Sequence, residues 1–437
     1  MRTYFTRLPA WNRLLRVGAL LTSLCIFTAS CTPGNGSSAP DGNDEELPLP
    51  SPVSSLSGIG WEWETPPGRE IVAVEPVAMG AAVLLDSGIV VLHGDTGEEI
   101  WNHLVPEEQR FAVGLTADRS AFLVAHGPDA DGAPEETLML DADTGTASGE
   151  FEVQDDLAPW DLWRVSEKER VHRPAGVVEE YRPLSVIEVA SGERRWQQEE
   201  PLKCETAPGL PSQQDDALIH EAALVVLVTC SPEQFEDPLE VTTSVVALDL
   251  ANGSELWRQE FTYTSETTFP RASLAVGGGS VFLSGDRLQQ VHSVDIETGE
   301  ILTSAQGTAL AFKDGDVLLQ VDEGGESRYE LRDAGLEELS SAEASSGPED
   351  PAQKRHALPL REGVASAELV EDGTDSTVAT VGFTPWEGGK IELLDSGLSA
   401  PQGTDFDEFT GSLVSVPGAV VLSGAEHWDA NTLVAYQ

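Results

Sequence analysis

From Gly58 onward a short apolar strand runs into a turn that closes on glycine, and this unit recurs along the whole remaining chain. A repeat of that length limits the possible folds more than any other feature, because each copy must bury its apolar face against the next. The clearest copies are VVLHGDTGEEIW ending at Trp101, SVIEVASGERRW ending at Trp196 and VVALDLANGSELW ending at Trp257, with turn glycines Gly97, Gly192 and Gly253. Weaker copies run from Leu138 to Phe151 around Gly145 and from Val291 to Thr303 around Gly299. Degenerate ones surround Gly335 and Gly397, and the seven glycines have a mean spacing of 50 residues.

Each copy reads as a β-hairpin. Asp/Asn/Ser-Gly or Thr-Gly follows an apolar strand, and glycine supplies the positive φ the turn requires. Glycine-led runs such as GAAVLL from Gly80, GSVFLSG from Gly279, GDVLLQV from Gly315 and GAVVLSG from Gly418 suit strands covered on both faces. With one less regular inner strand, each repeat holds four strands, the unit of a β-propeller blade. The chain stops at TLVAYQ, the strand before a turn, while GIGWEWE at Gly58–Glu64 carries Trp61 and Trp63 as an orphan outer strand. If that strand completes the last blade, residues 61–437 divide into eight blades of about 47 residues, against about 54 for seven. The expected fold is therefore all-β: one eight-bladed (alternatively seven-bladed) propeller of four-stranded antiparallel blades over 58–437, closed by its N-terminal strand.

The pattern of apolar strand, Asp-x-x-Thr-Gly and Trp resembles the pyrroloquinoline-quinone-type propeller repeat of quinoprotein-like proteins. In its non-enzymatic branch it is similar to the propeller lipoprotein of the outer-membrane β-barrel assembly machinery. In these repeats the turn and tryptophan residues hold blades together. The resemblance thus implies structural roles for Gly97, Trp101, Gly192, Trp196, Gly253, Trp257, Trp61 and Trp63, and implies nothing about a cofactor.

Residues 1–30 contain Arg2, Arg7, Arg13 and Arg16, no acid, and an apolar run from Val17 to Phe27. This order is that of a secretory signal. The run is too short to span a bilayer as a helix. The tail Phe27-Thr28-Ala29-Ser30-Cys31 resembles a bacterial lipobox, with Thr28 where Leu is usual, and implies lipidation of Cys31. An ordinary signal peptide cut near Ala29 or Ser30 is the alternative. Residues 31–57 are rich in Pro, Gly, Ser and acid, which predicts a disordered tether. Ser340–Arg355 has a similar composition and reads as a surface loop. With Cys25 in the signal and Cys31 lipidated, Cys204 and Cys230 remain, and in an exported protein they are most simply a disulfide.

Lys and Arg number 25 against 75 Asp and Glu, a formal net charge of −50. Such a polyanion excludes nucleic-acid binding, which rests on neutralising phosphates with cations. Motifs of catalysis are weak. His220-Glu221-Ala222-Ala223-Leu224 has Leu where a zinc protease places its second His. Gly277-Gly278-Gly279-Ser280 opens a strand, and Gly388-Gly389-Lys390 lacks the remainder of a phosphate-binding loop. Asp129, Asp131, Glu135 and Glu136 form one acidic cluster, and Asp405, Asp407 and Glu408 another. Each reads as a solvated loop, with a calcium loop as the sharper alternative. Trp160, Trp163 and Trp386 lie off the repeat register and serve either as partner anchors or as strand residues.

These readings converge on an exported propeller, lipid-anchored to a bacterial cell membrane and facing its extracytoplasmic side. The expectation is a monomeric, non-catalytic binding scaffold for envelope proteins, with no catalytic, cofactor or metal residues. The alternatives are a quinoprotein-like oxidoreductase, or a receptor for a small ligand or cell-wall glycan.

Overall fold

The computed structural model describes residues 48–437 apart from 129–135, 151–163, 167, 173–183, 201, 208–211, 231–238, 266–271, 286–289, 314, 324–325, 345–355, 372–376, 387, 400–411 and 425–430. The signal segment 1–30, Cys31, Trp160, Trp163 and the acids at 129, 131, 135, 405, 407 and 408 lie outside the described residues.

Every regular element described is a strand. Sheet one comprises β2 (Ile71–Val77), β3 (Gly80–Leu85), β4 (Gly88–His93) and β5 (Glu99–Leu104). Sheet two comprises β6 (Arg110–Leu115), β7 (Ala121–Gly127), β8 (Glu136–Asp141) and β9 (Ala147–Glu150). Sheet three holds β10 (Arg164–Val165), β11 (Glu169–His172), β12 (Ser185–Glu188) and β13 (Arg194–Gln197). Sheet four holds β14 (Ser212–His220), β15 (Ala223–Cys230), β16 (Leu239–Asp249) and β17 (Glu255–Ser265). Sheet five follows with β18 (Ala272–Gly277), β19 (Ser280–Gly285), β20 (Gln290–Asp295) and β21 (Ile301–Gln306). Sheet six has β22 (Thr308–Lys313), β23 (Asp316–Glu323), β24 (Glu326–Arg332) and β25 (Glu338–Glu343). Sheet seven has β26 (Ala357–Pro359), β27 (Gly363–Glu371), β28 (Thr377–Pro385) and β29 (Glu392–Ser399). Sheet eight joins β30 (Ser412–Val416), β31 (Ala419–Ser423) and β32 (Thr432–Tyr436) to β1 (Ile59–Glu64).

Sheets one to seven are four-stranded antiparallel meanders, as the repeat predicts. In sheet eight the fourth strand comes from the other end of the sequence. β1 pairs with β32, Trp61 opposite Ala435 and Trp63 opposite Leu433. Buried apolar side chains fill the space between consecutive sheets: Ala82, Leu84 and Val91 meet Phe122 and Val124 between sheets one and two, and Trp61, Val421 and Ala435 meet Val83 and Leu92 between eight and one. The runs GAAVLL and GIVVLH are buried at every position, because both faces of the central strands are covered.

Two expectations need correcting. Gly335 and Gly397 do not supply the positive φ of their turns. In sheet six that conformation falls on Leu336 (φ 58°), while Gly397 lies inside β29 opposite Thr380. The turn before β29 contains Gly388 (φ 87°) instead. The segment IELLDSGLSA is thus an outer strand and not a strand-turn unit.

The second correction concerns the tether. Residues 48–57 lie against the blades. The Ser51 carbonyl accepts from Gly418 N (2.9 Å) and the Ser54 carbonyl from Glu362 N (2.9 Å). Pro50 is buried, and Leu56 is 6% exposed among Leu360, Phe383 and Leu413, with Val53 packed beside it. His93 Nε2 lies 3.1 Å from the Pro48 carbonyl oxygen. The segment thus crosses turns of sheets one, eight and seven. Its composition suggests disorder because its two buried residues and half-buried Val53 are spread among polar ones, and only the assembled blades give them a surface.

Candidate functional site

The repeat glycines and tryptophans meet between sheets. Gly97, Gly145, Gly192, Gly253 and Gly299 have φ between 67° and 74°, and the amide of each donates to the carbonyl four residues back, at 2.8–2.9 Å. Where that residue is Asp, its carboxylate caps the turn. Asp141 Oδ1 accepts from Thr144 N (2.8 Å), Asp295 Oδ1 from Thr298 N (2.8 Å) and Asp249 Oδ1 from Ala251 N (2.7 Å). The hydrogen bonds from Thr298 hold the Asp295 carboxyl below the usual carboxylate range.

Each tryptophan lies over the turn glycine of the following sheet. Trp61 covers Gly97, Trp101 covers Gly145, Trp196 covers Gly253 and Trp257 covers Gly299, so closely that a Cβ on any of these glycines would fall 2.6–2.7 Å from the ring. Each indole N–H also donates to that neighbour's turn, Trp61 to the Gly94 carbonyl (2.8 Å), Trp101 to Ala142 (3.0 Å), Trp196 to Leu250 (2.9 Å) and Trp257 to Ile296 (2.8 Å). Trp63 is half-buried in the apolar layer between sheets eight and one. The recurrence of glycine and tryptophan was readable in sequence. That each tryptophan serves the next repeat's glycine was not, because spacing along one copy does not reveal its spatial neighbour.

Cys204 and Cys230 are disulfide-bonded with Cα atoms 6.2 Å apart, and both are fully buried. The bond ties the connection after sheet three to the end of β15. Glu260 on β17 holds the same connection, accepting from Thr206 N (3.0 Å) and Thr206 Oγ1 (2.6 Å).

The remaining chemical candidates fall on ordinary structure. His220 pairs with Ala223 across the β14–β15 hairpin, whose turn holds Glu221 at φ 49°, so His220 and Glu221 do not share the helical face a zinc protease uses. Gly278 and Gly279 form the β18–β19 turn. Trp386 is half-buried, and its indole N–H donates to the Leu360 carbonyl (3.0 Å) within sheet seven. Among the described residues no group of three or more His, Cys, Asp or Glu is placed to hold a metal ion, and no helix is long and apolar enough to cross a membrane.

Two polar features escaped the sequence reading. His103 on β5 and His126 on β7 bring their rings 5.7 Å apart between sheets one and two, and His126 Nε2 lies 2.9 Å from Glu136 Oε2. Burial, with His126 beside it, holds the His103 imidazole below its usual pKa against the opposing pull of Glu136. The other feature is a surface depression lined by Glu64, Thr65, Arg69 and Asn431. The Arg69 guanidinium there is engaged by the protein itself, donating to Ser87 Oγ (2.8 Å) and to the carbonyls of Ser87 and Val105.

Radial four-stranded sheets with tryptophan-capped glycine turns define the class, a β-propeller with PQQ-like repeats. Residues 241–347 match the family model described as outer membrane protein assembly factor BamB. The fold is similar to that of BamB from Moraxella catarrhalis, with a TM-score of 0.51 at 13% identity, covering 87% of this chain and 99% of that one. Also similar, more distantly, are the WD40 domain of SCAP from fission yeast (TM-score 0.40, 9% identity, 88% and 98% covered) and Kluyveromyces lactis Hsv2 (TM-score 0.39, 9% identity, 75% and 98% covered). No curated protein matches the chain in sequence.

Proposed function

We propose that this chain is an exported, lipid-anchored β-propeller acting as a non-catalytic binding scaffold on the extracytoplasmic side of a bacterial cell envelope. The observation that carries this reading is where the recurrent residues go. The tryptophans, turn glycines and capping aspartates all serve joints between or within blades. Similarity to the BamB fold, together with the family model over residues 241–347 that describes BamB as an assembly factor, supports a role in holding proteins together. The basic and apolar leader ending at Cys31 supports export and anchoring, because a diacylglyceryl chain pair provides stable membrane attachment.

Two measurements test the proposal. Cys31→Ala should move the protein from the membrane to the soluble fraction, and unchanged fractionation would remove the anchor from the reading. Pyrroloquinoline quinone and Ca²⁺ added to the purified protein should produce no dye-linked alcohol or sugar oxidation. Quinone-dependent turnover would replace the scaffold with an oxidoreductase.

A further inference from the structure

In six of the eight sheets the hairpin of the third and fourth strands carries a bulge at one position. The register skips Ile100 in sheet one, Ser148 in two, Arg195 in three, Leu256 in four, Leu302 in five and Leu339 in six. In sheet eight the same offset falls on Gly60 of β1. A bulge re-aims the extra side chain away from the ladder. In sheets four, five and six that side chain is leucine, and all three are exposed to nearly the same degree: Leu256 53%, Leu302 52% and Leu339 51%. Ile301, beside Leu302, is exposed as well. The equivalent positions of sheets one, two, three and eight are small, charged or, at Ile100, half-buried, and sheet seven has no single-residue skip there. The row of bulge leucines is thus confined to one arc of the outer rim, next to the exposed Leu393 of sheet seven.

Acidic side chains accompany the row. Glu255, Glu300 and Glu338 are exposed immediately before these apolar residues, Glu255 paired with Arg258 (2.6 Å), and Glu337 adds to them in sheet six. Charge decides what such a surface accepts. A second copy of a chain carrying −50 is repelled, and so is an anionic bilayer. A row of leucines at equivalent positions on successive blades, each beside a carboxylate, complements a segment that alternates apolar and basic side chains.

We propose that the outer rim of sheets four to six, at Leu256, Leu302 and Leu339, docks a cationic, apolar-faced segment of a partner protein. This rests on the scaffold reading and adds to it the place and chemistry of binding. Apolar contact there sets affinity, while the flanking carboxylates steer the approach and reject anionic surfaces.

The test uses the purified full chain and two synthetic peptides of equal length and charge, one alternating leucine with lysine and one alternating serine with lysine. The leucine peptide should bind at least tenfold more tightly than the serine peptide. The triple variant Leu256→Ser, Leu302→Ser, Leu339→Ser should lose that margin while keeping the wild-type melting temperature and affinity for the serine peptide. Ile100→Ser should leave the margin intact. Equal binding of the leucine peptide by wild type and triple variant would overturn the proposal. So would leucine-dependent self-association in sedimentation, or leucine-dependent binding to phosphatidylglycerol vesicles. None of these results bears on Cys31 or on quinone turnover, so the scaffold reading stands or falls separately.

Discussion

Trp257 and Gly299 show what one residue contributes here. The indole is 8% exposed, covers the glycine and donates to the Ile296 carbonyl. Trp257→Ala should cost about 3–5 kcal/mol, the usual range for a buried tryptophan, measured by urea unfolding. Gly279 and Gly299 allow a cleaner comparison within sheet five. Both have φ near that of a left-handed turn, 79° and 73°, but a Cβ at Gly279 meets nothing within 4 Å. Gly279→Ala should cost only the backbone strain of about 1–2 kcal/mol, and Gly299→Ala distinctly more, because Trp257 must also leave its seat. Equal losses would mean that ring and glycine are adjacent without depending on each other. The histidines give a pH signature. His103 and His292 are held below their usual pKa, both mainly by burial, so the unfolded chain takes up protons before the folded one does. Their contribution to stability is complete above the unfolded value near 6.5 and is lost as pH falls below it toward the depressed folded values. A double variant His103→Gln, His292→Gln should therefore lose less stability than wild type between about pH 7 and 5. Parallel curves would sever the link to these two imidazoles.

Among the elements, the connection from sheet three to sheet four and the segment 48–57 carry the sharpest expectations. Cys204 and Cys230 close a loop of 26 positions, for which chain entropy gives stabilisation of about 3 kcal/mol. Reductant should leave the native bond intact, since both sulfurs are buried, and cleave it once the chain unfolds. Rapid thiol labelling of the native, reductant-treated protein would contradict this. Deleting 32–47 should leave the melting temperature unchanged, whereas deleting 48–57 as well should lower it, because Leu56 alone removes a side chain worth about 1.5–3 kcal/mol of burial. This is also where the sequence was least legible. Strands were readable because apolar runs between glycines have a local signature, and Gly97, Gly145, Gly192, Gly253 and Gly299 occupy the turns their spacing predicts. The turn at Leu336 was hidden behind its neighbour Gly335, since a glycine one position away looks like the better candidate. With the turn at Leu336, the position in sheet six equivalent to the tryptophans is Ser340, opposite Leu331. The rim leucines went unnoticed for the same reason: a bulge is a property of register and cannot be seen in one strand's composition.

For the molecule as a whole, the first described strand, β1, and the last, β32, pair in sheet eight. Removing residues 58–64 takes away the partner strand of β32 and the indole over Gly97, and leaves an apolar edge open to aggregation. That deletion should be insoluble or unfolded. A soluble, cooperatively melting product would show that β1 is dispensable. The charge of −50 should make the fold salt-dependent: raising NaCl to about 0.5 M screens the self-repulsion, and the melting temperature should rise. The tryptophan joints, finally, are unevenly distributed, and this bears on how the molecule fails. Indoles seat sheet eight on one, one on two, three on four and four on five. Between sheets two and three that position is Gly149, between five and six Thr303, and between six and seven Ser340. The segment 48–57 meanwhile binds sheets seven, eight and one together. Mechanically the chain is two riveted arcs, seven-eight-one-two and three-four-five, with sheet six slung between them. Warmed or pulled, it should yield first along residues 308–343, where amide hydrogens exchange earliest, while β1 and β32 stay clasped in the arc opposite.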